Sequence, residues 1–522
     1  MKHFFLIVFM FLAIRGFSQQ AYWQQEVNYT IDVALNDKAH TLKGQLDLEY
    51  TNHSPDTLTF IWFHLWPNGY RNKETALSQQ LASEKSNNKK VKDADRGYID
   101  SLLFSVGGQS LKTEPDPTHI DVLKVFLPRQ LFPGEKINIS TPFFVKLPSY
   151  YSRSGHEGQQ YMICQWYPKP AVYDRKGWHA FPYLDQGEFY SEFGSFKVNI
   201  TLPSDYIVGA TGQLQTRTEL EKYKSIGSEN YKSPMKSAYK TSDPSSLKTL
   251  EFYGDSIHDF AWFADKDFVI EYDTLGLPSG KIVDVFSYYQ PNGNKAWNNS
   301  IGFIKNAVSK YSEWIGEYPY PVVAAVEGPK NQSSGGMEYP MITLITSPDA
   351  TKESLDAVIT HEVGHNWFYG VLASNERAHP WMDEGLNTYY QFRYEAEKYR
   401  SNSIFGGSIP NELKSLPTDQ FLARIYNVLN TLPAPKPVLT NSTAFSNKDE
   451  YGIVVYIKTA IWMFIVESSI GRQNLDKGIK EYYNRWKFKH PYPEDLKSSI
   501  EKGSGEEVGM LFELLNKAGS LQ

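Results

Sequence analysis

Two histidines four residues apart enclose a glutamate in the run His361-Glu362-Val363-Gly364-His365, and Glu384 follows nineteen residues after the second histidine. On one helix, residues four apart share a face, so both imidazoles can reach a single zinc ion while Glu362 stays free to act as a base. A carboxylate arriving from a second helix supplies a third ligand and leaves one coordination position open for water. That is the layout of a catalytic zinc site, since a structural site closes all four positions with protein ligands, usually cysteines. Zinc held by two neutral imidazoles and one carboxylate keeps residual positive charge, lowers the pKa of water toward about 7 and polarises a carbonyl. Glu362 is then the group that takes a proton from water and returns it to a leaving amine.

Such a site needs two helices to meet. Ala357, Val358, Val363, Trp367 and Phe368 surround the histidines at helical spacing, which predicts a buried helix over 354–372. Trp381-Met382-Asp383-Glu384-Gly385 precedes an amphipathic run, which predicts a second helix over 384–399 with Asp383 as its N-cap and Glu384 in its first turn. Further helices are expected at 297–314, 451–468 and 475–488, and strands at 322–326 and 341–345. The segment from 493 onward reads as two short helices broken at Gly503-Ser504-Gly505.

The zinc run, together with Gly335-Gly336-Met337-Glu338-Tyr339 upstream and Val455-Tyr456-Ile457-Lys458-Thr459 downstream, resembles the aminopeptidase N family of gluzincin zinc metallopeptidases, peptidase family M1, which includes leukotriene hydrolase-like members. The upstream run looks like that family's Gly-x-Met-Glu-Asn motif, and the downstream run like its Tyr-x-Lys-Gly motif. The resemblance implies one zinc per chain held by His361, His365 and Glu384, Glu362 as general base, and Tyr456 as the hydroxyl that stabilises an oxyanion. Tyr451 is the alternative tyrosine. It lies five residues earlier on the same expected helix, where α-helical geometry puts it on a different face.

Gly335, Gly336, Met337 and Glu338 are the expected substrate-binding residues. A carboxylate at Glu338 beside the metal would bind the protonated amino group of a peptide's first residue, which selects peptides with a free N-terminus and excludes internal bonds. The family uses a second amine-binding Gln or Glu from its amino-terminal part, and Gln165 is the candidate here. Tyr339 stands where the family has asparagine, and Thr459 where glycine is common. The expected activity is that of a zinc aminopeptidase; the alternative is an inactive relative that binds peptides or surface partners through the cleft.

The remaining sequence sets the context. Residues 1–18 carry Lys2 and His3, an apolar run and a small-residue end at Gly16-Phe17-Ser18, the pattern of a secretory signal peptide. Export to the periplasm or beyond is expected, with no transmembrane segment after cleavage, since no later stretch was read as approaching the roughly 20 apolar residues of a span. The lone cysteine, Cys164, excludes an intrachain disulfide and reads as a small buried hydrophobe. Net charge of −6 gives no reason to expect nucleic acid as a partner.

From 19 to 268 the texture is strand-like, with apolar and polar residues alternating at 29–35, 42–50, 60–66 and 196–202. This predicts an antiparallel β domain, interrupted by polar insertions or loops at 73–96 and 215–247. For the aromatic cluster at 166–193 core packing is the expected use, with the substrate cleft as the alternative. From 269 to 522 helices follow mixed strands, which predicts an α+β catalytic domain of thermolysin-like type with a short helical C-terminal segment.

Overall fold

The alternation read from the first half of the chain becomes strands with one buried face. In a computed structural model that describes residues 22–519 and 521, apart from 84–90, 237–238, 240–242, 244–245, 332–333, 405, 408 and 430–434, strands Glu26–Asn36 and Thr41–Thr51 pair antiparallel along their full length. Val27, Tyr29, Ile31, Val33 and Leu35 point into the core, while the residues between them are more exposed. The predicted signal peptide at 1–18 lies outside the described residues.

These two strands sit at the centre of a nine-stranded sheet, and the amino-terminal part also holds two four-stranded sheets and a two-stranded one at 173–178. The pairing is not purely antiparallel, because Glu26–Asn36 runs parallel to Gly194–Pro203. The aromatic cluster behaves as core: Trp166, Tyr167, Tyr183, Phe189, Tyr190 and Phe193 are buried.

The expected loop at 215–247 is a correction. Its first half forms helix α1 (Arg217–Lys232), which seats Tyr223, Gly227 and Asn230 on one stripe. Asn230 donates to the Ile270 carbonyl, and the Tyr223 hydroxyl accepts from the Val208 N–H. The segment at 73–96 likewise contains a short helix, Ala76–Ser83.

A five-stranded sheet follows, in the order Val269–Gly276, Ile282–Tyr289, Val322–Glu327, Ile342–Ile345, Gly336–Tyr339. Its three central strands are parallel and its two edges antiparallel. The Gly-Gly-Met-Glu run is therefore itself largely an edge strand. Helices α2 (Ser300–Trp314) and α3 (Lys352–Gly364) pack beside it, and α4 (Glu384–Tyr399) packs on α3.

Helix α3 stops earlier than its apolar pattern predicts. His365 is already its C-cap residue, because the Asn366 side chain turns back to donate to the Val363 carbonyl and accepts from the Met341 amide. The chain beyond pairs with the C-terminal region, Phe488 N–H donating to Val371 and Ala373 N–H to Lys489.

One further helix spans Lys448–Ile470 and is long and apolar enough, by length and composition, to cross a membrane, a correction to the expectation that no later stretch approaches that composition. Half of its apolar window is buried inside the protein, and it lies against α4. It opens with an α-helical turn at Lys448–Tyr451, continues as a π-helical segment over Gly452–Lys458 and ends in α5 (Thr459–Ile470).

Candidate active site

The three expected ligands converge. His361 Nε2 and His365 Nε2 lie 3.1 Å apart, and Glu384 Oε2 lies 3.2 and 3.3 Å from them. Ligands on a tetrahedral zinc at bond lengths of about 2.0 Å are separated by edges of about 3.3 Å, so this triangle has the size that the ion demands. The opposite ring nitrogens are already engaged: His361 Nδ1 meets Gln391 Oε1 at 2.9 Å and His365 Nδ1 meets Asp383 Oδ1 at 2.6 Å. With both Nδ1 atoms donating, the two Nε2 lone pairs and a carboxylate oxygen face one another, an arrangement that a bound cation stabilises. The donor set fits zinc.

Asp383 is thus a correction to the N-cap expectation. It occupies the cap position of α4, but its side chain makes no cap hydrogen bond and serves His365 instead. Gln391, two turns along α4 from Glu384, was not anticipated. It is fixed in turn by donating to Glu395 Oε1 at 2.7 Å. Asn387 ties the two helices together by donating to the His361 carbonyl at 2.7 Å.

Glu362 is buried beside this triangle, and its Oε2 has no hydrogen-bond partner among the described residues. Burial first, with Glu384 and Glu188 adding to it against the pull of His365, pushes its carboxyl up to about 8. Its carboxylate lies directly on Gly336, where a Cβ would come within 2.4 Å of Oε1. The second glycine of the motif is therefore required by close approach of the Glu362 carboxylate rather than by backbone conformation.

Strand alternation explains the rest of the motif. Gly336 and Glu338 turn toward the metal, and an oxygen of Glu338 lies within 4.8 Å of donor atoms of His365, Asp383 and Glu384. Met337 and Tyr339 turn toward the amino-terminal part, Met337 Sδ receiving Arg153 Nε at 3.0 Å and Tyr339 packing against Phe263. The departure at Tyr339 thus affects the side away from Glu338. At the other departure, Thr459 fills the space left by Gly385, whose Cβ would fall 2.3 Å from the threonine Cβ.

Tyr456 donates to Glu384 Oε1 at 2.5 Å, and its ring lies 5.9 Å from that of His361. Tyr451 overturns the expectation that it occupies a different face. Both tyrosines line a cavity of about 240 Å³ together with Gly336, Met337 and Glu188, and their rings are 6.1 Å apart. The π-helical turn is the cause, since i→i+5 closure brings residues five apart nearly above one another. The Tyr451 hydroxyl is buried without a hydrogen-bond partner among the described residues.

Gln165 is also corrected. It is buried at positive φ, its amide donates to Asp259 Oδ2 at 2.5 Å and its carbonyl accepts from Lys169 Nζ at 3.0 Å. Its amide serves the buried Asp259–Lys169 ion pair and does not line the cavity beside the metal-binding triangle, so it is not placed to receive a substrate amine. The residue from the amino-terminal part that lines the cavity is Glu188. Its Oε1 accepts from Arg153 Nη2, while its Oε2 and Glu338 Oε1 have no donor among the described residues. Burial and neighbouring Glu188, Glu384 and Asp383 hold the Glu338 carboxyl well above the usual range, against His365. Nothing in local spacing marks Glu188, since only the tertiary fold brings it to the metal side.

Cys164 is buried, and burial pushes its thiol well up, as a small packed hydrophobe requires.

The metal-free site has a testable protonation state. Burial works against the charged form of His365, yet Asp383, Glu338 and Glu384 outweigh it and hold the imidazole proton well above the usual pH range. Zinc must displace that proton, so loading at pH 7 should release about one proton or more, and affinity should fall as pH falls. Calorimetric titration in buffers of different ionisation enthalpy measures this; uptake independent of the buffer would contradict it.

With this geometry in view, comparisons with known proteins agree. Residues 301–514 match the model of the peptidase family M1 domain. Leucine aminopeptidase 2 of Aspergillus fumigatus is 26% identical over 202 residues, covering 37% of this chain and 30% of that protein. Aminopeptidase M1-A of Oryza sativa is 24% identical over 208 residues, covering 37% of this chain and 22% of that protein. The matched region thus spans under a third of the length of these relatives. In fold, the M1 zinc metallopeptidase of Deinococcus radiodurans is similar with a TM-score of 0.63 at 14% identity, covering 96% of this chain and 95% of that one. Legionella pneumophila aminopeptidase A gives 0.63 at 13% identity, covering 96% of this chain and 50% of that one.

Proposed function

We propose that the protein is an exported zinc aminopeptidase that removes the first residue from peptides with a free N-terminus. The observation that carries this reading is a pair of buried carboxylate oxygens without donors, Glu338 Oε1 and Glu188 Oε2, in the cluster that also holds the metal-binding triangle. Buried acceptors left unpaired are costly, and a substrate ammonium, with three N–H groups and a positive charge, is the guest that satisfies them. An amine held there fixes the scissile bond one residue in from the N-terminus. The named leucine aminopeptidase relatives and the Deinococcus enzyme bound to a Tyr-Ser-Ala substrate support the same substrate class.

His361, His365 and Glu384 would hold the zinc, which supplies Lewis-acid polarisation and acidifies water. Glu362 takes the proton from that water and delivers it to the departing amine. Tyr456 donates its hydroxyl to the oxyanion of the tetrahedral intermediate. Gly336 lets Glu362 lie against the motif strand, and Glu338 with Glu188 anchors the amine.

The test is release of the first residue from a tripeptide, with and without acetylation and with and without a chelator. Free-amine peptides should be cleaved and acetylated ones spared; rapid cleavage of blocked peptides would remove the exopeptidase assignment. Glu338→Ala should raise KM by about 10²-fold, the value of a lost charge-assisted contact, with a smaller change in kcat. A change confined to kcat would detach Glu338 from amine binding. Export rests on the signal pattern at 1–18, and cell fractionation with sequencing of the mature N-terminus tests it, cleavage near Gln19 being the expected result.

A further inference from the structure

Arg153 is a buried charged group that the mechanism leaves unused and that contacts functional residues directly. Its Nη2 donates to Glu188 Oε1, its Nη1 donates to the Asp185 carbonyl at 2.9 Å, and its Nε meets Met337 Sδ at 3.0 Å. The Phe189 ring lies 5.6 Å from its guanidinium carbon. Asp185 carries the network on, its Oδ2 accepting from Lys448 Nζ at 2.5 Å, and Lys448 opens the helix that bears both tyrosines. One guanidinium therefore touches the amino-terminal carboxylate, the motif strand and, through Asp185, the tyrosine helix.

We propose that Arg153 is the positioning residue of the amine site, locking Glu188 so that one oxygen is held and the other is left to receive the substrate ammonium. The proposal rests on the aminopeptidase reading. A carboxylate with two equivalent oxygens and free rotation would offer the amine a poorly defined acceptor. A planar guanidinium that occupies one oxygen, and is itself pinned by a carbonyl and a thioether, removes that freedom. The Arg153 charge also favours the ionised Glu188 against nearby Glu384, although burial still holds Glu188 above its usual range. Met337 has a role in this arrangement. Its sulfur closes the third side of the guanidinium and ties the motif strand to the same anchor.

Lysine at this position keeps the charge and loses the fork, so Arg153→Lys is the informative variant, with Arg153→Met as the full removal. In the zinc-loaded enzyme, Arg153→Lys should raise KM for a free-amine tripeptide by about tenfold or more while kcat changes by less than about threefold. Binding of L-leucine, measured by calorimetry, should weaken in parallel, and zinc content should stay at the wild-type value. In a Glu188→Gln background the same substitution should add little, because the two residues act through one contact. Unchanged KM and L-leucine affinity in Arg153→Lys, or an equal loss in the Glu188→Gln background, would overturn the proposal and leave Arg153 as a packing residue. Should Arg153→Met fail to fold by circular dichroism, Arg153→Lys and the cycle with Glu188→Gln still decide. A wild-type enzyme that neither cleaves the tripeptide nor binds L-leucine would sink the aminopeptidase reading itself, and the positioning role would fall with it.

Discussion

Glu362→Gln should bind zinc with full stoichiometry and cleave peptides about 10⁴-fold more slowly than the wild type. The substitution is isosteric, so the packing of the side chain against Gly336 is preserved. None of the ligand atoms depends on Glu362: His361 is oriented by Gln391, His365 by Asp383, and Glu384 is held by Tyr456. What disappears is the capacity to accept and return a proton. On the proposed mechanism the effect belongs at the upper end for a general base, because the same carboxyl would serve two transfers, from water and to the amine. Burial matters here too, because a base pushed up to about 8 in the metal-free site takes a proton more readily than an ordinary carboxylate. Steady-state kinetics on a tripeptide, paired with zinc analysis of the same sample, measures both halves. Activity within about tenfold of wild type would take Glu362 out of the mechanism. Loss of zinc would instead make it part of the metal site.

The metal triad was legible because it is a local pattern: spacing of four on one helix, and a carboxylate in the first turn of the next. Of those two helices α4 has the expected bounds, Glu384–Tyr399, while α3 ends early at Gly364. The groups that orient the ligands were less legible. Gln391 and Asp383 are ordinary helix residues by type, and only the crossing of α3 and α4 turns them toward ring nitrogens. Glu188 and Arg153 are harder still, since they come from the amino-terminal part and meet the motif strand only in the assembled fold. Gln165 failed for the converse reason: a polar residue in an apolar strand context looked available, and tertiary packing gave it Asp259 and Lys169.

Secondary structure went astray where local signals were weak or overridden. Helix α1 buries only Tyr223, Gly227 and Asn230, three residues on one stripe in an otherwise charged run, so its periodicity was easily read as loop. Helix α3 was overextended because Trp367, Phe368 and Leu372 are buried beyond its end by a turn rather than by helix. Apolar spacing reports burial, and burial by an irregular segment leaves the same trace.

The π-helical segment shows what apolar periodicity could not carry, and it sets up the second large expected effect. An α-helix would turn residues five apart about 140° from each other, which separates Tyr451 from Tyr456. The π turn over Gly452–Lys458 brings both to one cavity, so type and position no longer decide which hydroxyl acts. Hydrogen bonding does: Tyr456 reaches Glu384 Oε1, at the metal-binding triangle, while the Tyr451 hydroxyl has no partner among the described residues. Tyr456→Phe should therefore lower kcat by about 10²–10³-fold, the cost of one oxyanion donor, with KM changed only a few-fold. Tyr451→Phe should cost less than about tenfold, since it removes a hydroxyl that makes no bond and keeps the ring. Zinc content separates the two ways in which Tyr456 could matter. Retained zinc with lost turnover assigns it to the oxyanion, whereas zinc lost together with activity makes its hydrogen bond to Glu384 a support for the ligand. If Tyr451→Phe alone produces the large fall in kcat, the oxyanion role passes to Tyr451, and the hydroxyl without a partner becomes the one kept in reserve for the transition state.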